Sequence, residues 1–189
     1  MRNFKKFCAL AAAVFALSAI SAVNASAVTF TASATGNLVG SATQTQVFTT
    51  NAGQIKCSTA EVSGEIKSTA STEQRLTVIH KNCIAFGFAT VHISPEDYLF
   101  TGNGTVHIEN TITINVTGAK CHQTIAPQTV GTVSYVAQGF TGTIVEPNVK
   151  NISYTSTGGL CSTGGLNGTY TGNIAITRQG GGSFVPDTP

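Results

Sequence analysis

Two short segments place histidine beside cysteine, and these residue types could carry out chemistry. In "LTVIHKNCIAFGF", residues 76–88, His80 lies three positions before Cys83, and in "AKCHQ" Cys121 is followed directly by His122. Cysteine and histidine together can bind zinc, and a thiolate beside a histidine base can act as a nucleophile. Either interpretation requires the two side chains of a pair to converge on one point.

Strand geometry argues against such convergence. The surrounding residues alternate between apolar and polar, which is typical of β-strands, and side chains of opposite parity point to opposite faces of a strand. His80 and Cys83 have opposite parity, as do Cys121 and His122. A bulge or turn could bring either pair together, so the metal alternative stays open, but the sequence predicts neither a metal site nor another cofactor.

The cysteines are better explained as disulfides. Four follow the N-terminal leader, namely Cys57, Cys83, Cys121 and Cys161, and an even number in an exported chain favours two bridges. Sequential pairing, Cys57 with Cys83 and Cys121 with Cys161, closes the two shortest loops. We expect this connectivity, although a Greek-key strand order would permit either of the other two.

The N-terminus predicts export. Arg2, Lys5 and Lys6 precede the apolar run "FCALAAAVFALSAISAV", and the small-residue triplet 25–27 follows it. This order is typical of a secretory signal peptide, which we assign to residues 1–27 with cleavage after Ala27 or, alternatively, Ala25. No second apolar run of spanning length follows, so we expect no transmembrane segment in the mature chain and a location outside the cell, in the periplasm or in the envelope.

Charge argues against a nucleic-acid partner. Removing residues 1–27 takes three of the ten Lys and Arg residues and leaves all eight Asp and Glu residues, which changes the formal net charge from +2 to −1. The remaining basic residues are scattered singly along the chain, whereas a phosphate-binding surface needs clustered Lys and Arg.

Composition and periodicity predict an all-β fold. Thr, Val, Ile and Gly are frequent and Trp is absent, which suits half-buried strands joined by tight turns. We expect about eight to twelve short strands in an antiparallel β-sandwich or β-roll with two disulfides. This single domain covers residues 28–178, and the Gly-rich and Pro-containing segment 179–189 is predicted to be a flexible tail.

The clearest alternation marks a candidate binding face. In "TVHIENTITINVTG", residues 105–118, the apolar side chains share one parity and the polar side chains share the other. The polar set includes a row of hydroxyl and amide groups at Thr111, Thr113, Asn115 and Thr117. If this strand has a solvent side, the row could contact a surface, although threonine is also simply a good strand residue.

The acidic residues give no clear catalytic pattern. A glycosidase needs two acids that face each other across a cleft, but Glu96 and Asp97 lie in a Pro-containing turn, Glu109 lies on a polar strand face and Glu146 adjoins Pro147. We expect these carboxylates to be solvated. His92 and His107 occur in two "TVHI" segments on the polar parity and are predicted to be surface residues.

Several segments together resemble a group of exported small β-rich, cysteine-containing proteins of actinobacteria. These are "TFTASATG", "QVFTTNAGQIKC", "CIAFGF", "NISYTSTGGLC" and "NGTYTGNIAI", which cover most of the chain after the leader. None of the segments is a catalytic signature. The resemblance implies export, a β fold and disulfides, and it implies no enzymatic activity.

The sequence therefore predicts a secreted or envelope-associated noncatalytic β-module with a structural or surface-binding role. Its expected partner is a cell-wall component, a glycan or a protein surface. The alternative is a secreted glycosidase-like hydrolase that uses Glu or His residues, which would require acids to converge beside a cleft.

Overall fold

A computed structural model describes residues 27–159, 161 and 164–187, so all but the last residue of the predicted signal peptide lies outside the described residues. The described residues form seventeen β-strands: β1 Thr29–Ala32, β2 Gly36–Ala42, β3 Gln46–Thr50, β4 Gly53–Ile66, β5 Ala70–Ser71, β6 Glu73–Ala85, β7 Ala89–Ile93, β8 Glu96–Thr101, β9 Thr105–Ile108, β10 Ile112–Val116, β11 Cys121–Ile125, β12 Gln128–Gly131, β13 Val133–Gln138, β14 Gly142–Gly158, β15 Gly165–Thr171, β16 Ile174–Arg178 and β17 Phe184–Asp187. Within these ranges, no helix has the length and apolar character needed to cross a membrane.

The main sheet is antiparallel and closes on itself. Eight strands, β4, β6, β7, β10, β11, β14, β15 and β3, form a ring because β3 pairs again with β4. Beyond the ring, β8, β9 and β12 continue the sheet from β6, whereas β2 and β16 join β4 to β14, and β13 pairs with β14. The predicted all-β antiparallel fold is confirmed.

A smaller sheet of β17, β1 and β5 packs beside the main one. Phe30 on β1 contacts the ring of Tyr135 edge-on, with centroids 4.8 Å apart, and stacks on Phe184 of β17 at 5.8 Å. Phe184 is buried and its strand pairs with β1. The prediction of a flexible tail is therefore wrong for residues 184–187, which continue the ordered fold beyond the predicted domain boundary at residue 178.

Three strands are much longer than the sequence predicts, and each changes its core-facing parity along its length. On β4 the buried positions shift from Ile55 and Cys57 to Ala60 and Val62. The partner strand β6 shifts at the same cross-strand level, between His80 and Cys83. The inward side chains of one half of each strand thus pack in one part of the core, and those of the other half pack in a neighbouring part.

Asparagine occupies two of these switch positions. Asn82 on β6 has φ 52°, and Asn151 on β14 has φ 59°, where the register with β15 shifts between Val149 and Ile152. Asparagine tolerates the left-handed conformation better than most residues because its short side chain can hydrogen-bond locally. A residue in this conformation at a bulge re-aims the side chains that follow it.

Both predicted disulfides are present with sequential connectivity. Cys57 and Cys83 lie directly opposite each other on β4 and β6, with Cα atoms 3.9 Å apart. Cys121 on β11 bonds to Cys161, with Cα atoms 5.3 Å apart. The first bridge joins two strands at the level where both change parity, and the second ties the connection after β14 to β11.

Removing the Cys57–Cys83 bridge should lower stability more than removing the Cys121–Cys161 bridge. Loop entropy alone favours the second bridge slightly, because separations of 26 and 40 residues correspond to about 3.5 and about 4 kcal/mol. Both cysteines of the first bridge are buried, however, whereas Cys161 is half-buried. We therefore expect Cys57→Ala/Cys83→Ala to unfold at the lower urea concentration, and the reverse order would show that loop entropy decides.

Candidate functional site

The two Cys/His pairs differ in whether their side chains lie on the same face of the strand. Cys121 is buried and His122 is exposed on the opposite face of β11, as their parity predicts. His80 and Cys83 both point into the core, so the prediction of opposite faces is wrong for this pair. The reason is the left-handed residue Asn82 between them. The four cysteines among the described residues are all in disulfides, and the same part of the chain contains no group of three His, Cys, Asp or Glu residues suited to a metal ion.

His80 instead belongs to a buried polar cluster that joins four strands. Its Nε2 lies 3.1 Å from the Tyr170 hydroxyl on β15, and its Nδ1 lies 3.3 Å from Glu96 Oε1 on β8. The Tyr98 hydroxyl donates to the other oxygen of Glu96, and the Tyr170 hydroxyl donates to Gln46 Oε1 on β3. We call these five residues, Gln46, His80, Glu96, Tyr98 and Tyr170, the core polar cluster.

Hydrogen-bond directions within the core polar cluster determine where its protons lie. Gln46 Nε2 donates to the carbonyl oxygens of Gln44 and Asn173, so Gln46 Oε1 is the acceptor for Tyr170. Because the Tyr170 hydroxyl donates its hydrogen bond to Gln46, its oxygen is the acceptor for His80 Nε2–H. If His80 were neutral, the Nδ1 lone pair would then face the Glu96 carboxylate, which is repulsive. A proton between Nδ1 and Oε1 removes this repulsion.

The pKa of His80 reflects two opposing effects. Burial disfavours the charged imidazolium and lowers the pKa, but the adjacent Glu96 carboxylate raises it by more, so the pKa lies above its ordinary value. The Nδ1–Oε1 contact is within ion-pair distance but lacks hydrogen-bond geometry. Charge attraction is therefore its main component. Burial and the Glu96 charge also raise the pKa values of Tyr98 and Tyr170, which keeps both phenols neutral.

The core polar cluster lines an internal cavity of about 60 Å³ whose other walls are mainly aliphatic and aromatic. A water molecule needs roughly 10–15 Å³ of such space and several polar partners. The cavity can therefore hold water only near the cluster, and it is too small for a sugar or peptide.

The acidic residues are not the solvated set that the sequence predicts. Glu96 is 5% exposed and forms the centre of the core polar cluster, so that prediction is wrong for this residue. Asp97 accepts a hydrogen bond from Thr77, Glu109 forms a bidentate pair with Arg75, and Glu146 accepts from Asn173. Each of these four carboxylates is thus held by a neighbouring side chain.

The predicted binding face lies on the outside of the sheet. Ile112, Ile114 and Val116 of β10 are buried, and the alternate positions point outward. Together with outward residues of β7, β11 and the end of β14, they form a surface that we call the threonine face, comprising Thr90, His92, Thr111, Thr113, Asn115, Thr117, His122, Thr124, Thr155 and Thr157. Within this set, Thr111, Asn115 and Thr117 are exposed and Thr113 is half-buried.

One cross-strand row crosses the threonine face. Asn115 on β10 lies between His92 on β7 and His122 on β11, and His122 lies opposite Thr157 on β14. His122 Nδ1 is 2.6 Å from Asn115 Oδ1, and its Nε2 is 3.2 Å from the Thr124 hydroxyl. The imidazole is therefore fixed between an amide and a hydroxyl, and Asn115 has a defined orientation.

The sequence contains little signal for this row. Its members lie as far apart as residues 92 and 157, and strand order must be known before they can be placed together. His92 and His107 occur in matching "TVHI" segments. They lie on β7 and β9, which do not pair with each other.

Changing Glu96 to Gln should remove a pH dependence of stability. The raised pKa of His80 means that the ion pair stabilises the fold fully below the ordinary His pKa of about 6.5 and loses this contribution as pH rises through the folded-state value. The wild-type urea midpoint should thus fall as pH rises above about 6.5. In Glu96→Gln, the amide can donate to neutral His80 and accept from Tyr98. The fall of the urea midpoint with rising pH that comes from the ion pair should therefore disappear. Equal slopes in both proteins would contradict the assignment.

Comparison with known proteins leaves the function to be argued from the contacts above. No family model, no curated protein and no solved structure matches this chain. The resemblance to exported actinobacterial β-proteins stays a prediction.

Proposed function

We propose that this protein is an exported, noncatalytic module that binds an uncharged polyhydroxylated polymer, such as a cell-wall glycan, through the threonine face. The observation that supports this most directly is a continuous outward surface of hydroxyl, amide and imidazole groups across four adjacent strands. The strands β7, β10 and β11 and the end of β14, residues 152–158, contain no Asp, Glu, Lys or Arg.

The chemistry of the threonine face suits a neutral, hydroxyl-bearing partner. A threonine hydroxyl both donates and accepts hydrogen bonds, as sugar hydroxyls do. Threonine is β-branched and stiff at χ1, so little side-chain freedom is lost on binding. Asn115 and His122 are already held by each other and by Thr124. Such a surface can therefore contact a flat polymer without the desolvation cost of charged groups.

Export forms part of the proposal. Two disulfides, which persist in oxidising compartments, are consistent with the leader-like N-terminal sequence. A partner outside the cell or in the envelope would then be accessible to the threonine face.

A secreted hydrolase is less well supported. Glu96, the acid with the most unusual environment, is enclosed with His80 beside a cavity too small for a sugar. Asp97 and Glu109 line an open groove, but Glu109 is paired with Arg75 and one oxygen of Asp97 is held by Thr77. An acid–base pair facing substrate would need a carboxylate that can both reach a cleft and exchange its proton.

Removing the Asn115–His122 pair should weaken binding to insoluble polysaccharide. Each lost hydrogen bond contributes about 1 kcal/mol, so Asn115→Ala/His122→Ala should raise the apparent Kd by roughly tenfold or more. Sedimentation of residues 28–189 with chitin, cellulose and isolated cell walls would measure the effect.

A matched control is available on another part of the surface. His107 on β9 contacts the Thr129 hydroxyl on β12 at 2.8 Å, which also joins an imidazole to a side chain across two strands. His107→Ala/Thr129→Ala should bind like the wild type. Equal losses in both double variants, or wild-type binding by Asn115→Ala/His122→Ala, would refute the assignment of function to the threonine face.

A further inference from the structure

A second polar surface lies on strands that do not contribute to the threonine face. An open groove of about 560 Å³ crosses the outer side of β2, β4, β6 and β8 and reaches the residues that follow β9 and β16. This volume is within the range of roughly 300–1,000 Å³ that is usual for ligand sites. We call it the polar groove, and its outward side chains include Asn37, Ser63, Arg75, Thr77, Asp97 and Gln179.

The register of the sheet aligns part of the polar groove as one row. Val39 on β2 lies opposite Ser63 on β4, Ser63 lies opposite Thr77 on β6, and Thr77 lies opposite Asp97 on β8. The row therefore runs across four strands, from an apolar side chain through two hydroxyls to a carboxylate.

Glycine at position 64 shapes this part of the sheet. A Cβ atom at Gly64 would lie 2.7 Å from the Arg75 carbonyl oxygen and 2.7 Å from Leu76 Cδ2. Any larger residue would push β4 away from β6. Glycine allows the two strands to remain close where Gly64 lines the polar groove.

Asp97 is held in place before any ligand arrives. Its Oδ1 accepts a hydrogen bond of 2.7 Å from the Thr77 hydroxyl, and its backbone N–H donates to Asn110 Oδ1 at 3.0 Å. Asn110 is itself fixed by donating to the Pro95 carbonyl oxygen. The second carboxylate oxygen of Asp97 has no hydrogen-bond donor among the described residues. It is a positioned acceptor at one side of the polar groove.

The opposite side offers complementary groups. Asn37 Nδ2 donates to Gln179 Oε1 at 3.2 Å, which leaves the Asn37 carbonyl oxygen as an acceptor and the Gln179 amide nitrogen as a donor. Both side chains are exposed. Donors and acceptors thus lie on both sides of the polar groove.

Charge and backbone pairing narrow the class of ligand. The polar groove carries Glu65, Lys67, Arg75, Asp97 and Glu109, which amount to one net negative charge and include the internally neutralised pair Arg75–Glu109. This balance does not favour a polyanion. The four strands β2, β4, β6 and β8 are each paired on both sides, so no strand edge is free to add a peptide strand.

We infer that the polar groove is a binding site for a neutral oligosaccharide. Recognition there must rely on side chains, and different hydroxyls of one oligosaccharide can donate to Asp97 at one side and accept from Ser63 or Gln179 further across the polar groove. Val39, which is 39% exposed, supplies an apolar contact for the C–H surface of a sugar ring. The site is independent of the threonine face, because the two surfaces share none of their named side chains.

The test is calorimetric titration of residues 28–189 with soluble neutral tetrasaccharides, namely chitotetraose, cellotetraose, maltotetraose and mannotetraose. At least one should bind, and Asp97→Ala should weaken that binding by tenfold or more. The control is Glu61→Ala, because Glu61 is an exposed acid on β4 that pairs with Lys81 outside the polar groove. It removes the same charge and should leave the Kd unchanged.

Further readouts keep the result decisive. If Asp97→Ala does not fold, the exposed pair Asn37→Ala/Gln179→Ala replaces it with the same expected loss. Backbone amide shifts on titration should centre on residues 63, 77 and 97. Shifts centred on Asn115 and His122 would overturn the groove site and support the threonine face. Shifts centred in the groove, together with unchanged binding by Asn115→Ala/His122→Ala, would support the groove site and count against the threonine face. Binding of none of the four sugars, or binding that Asp97→Ala leaves intact, would also overturn it.

Discussion

The change of core-facing parity along β4, β6 and β14 is the constraint on which the rest of the structure depends. Each strand supplies side chains to two parts of the core, so each must reverse its inward face midway. The core polar cluster lies beside these reversals: Gln46 pairs with Cys57, His80 pairs with Ala60, and Tyr170 pairs with Val149. Ordinary apolar packing is interrupted there, and hydrogen bonds take its place.

A buried polar cluster stabilises such a junction only if its groups find partners. An unpaired buried donor or acceptor costs roughly 1–3 kcal/mol, and a buried ion pair gains little net stability over apolar packing. The cluster here links β3, β6, β8 and β15 through three hydrogen bonds and the His80–Glu96 ion pair. The core polar cluster therefore acts mainly by favouring one arrangement of the strands over others. Slipping one strand by one residue would leave Glu96 or His80 buried without its partner.

Local periodicity in the sequence predicts which side chains point inward wherever a strand is regular. It identifies Ile112, Ile114 and Val116 as core residues, and it predicts the opposite faces of Cys121 and His122. It fails where the backbone leaves the regular pattern, because a left-handed residue at Asn82 has no distinctive signal in the sequence. It also cannot show that Glu96, beside a proline, enters the core, or that Phe184 returns to β1 across the whole chain. Both depend on long-range pairing.

Closure of the main sheet explains why its outer surface, rather than its edges, is available for recognition. In the ring of eight strands, every strand has neighbours on both sides, which removes free backbone donors and acceptors. Within this ring, a partner can be contacted only through outward side chains at alternate positions. On β10 and β11 these are uncharged and lie on one surface, whereas on β6 and β8 they include Arg75 and Asp97 and line a concave one. This difference is the basis for proposing a polymer as the partner of the first surface and a short oligosaccharide as the partner of the second.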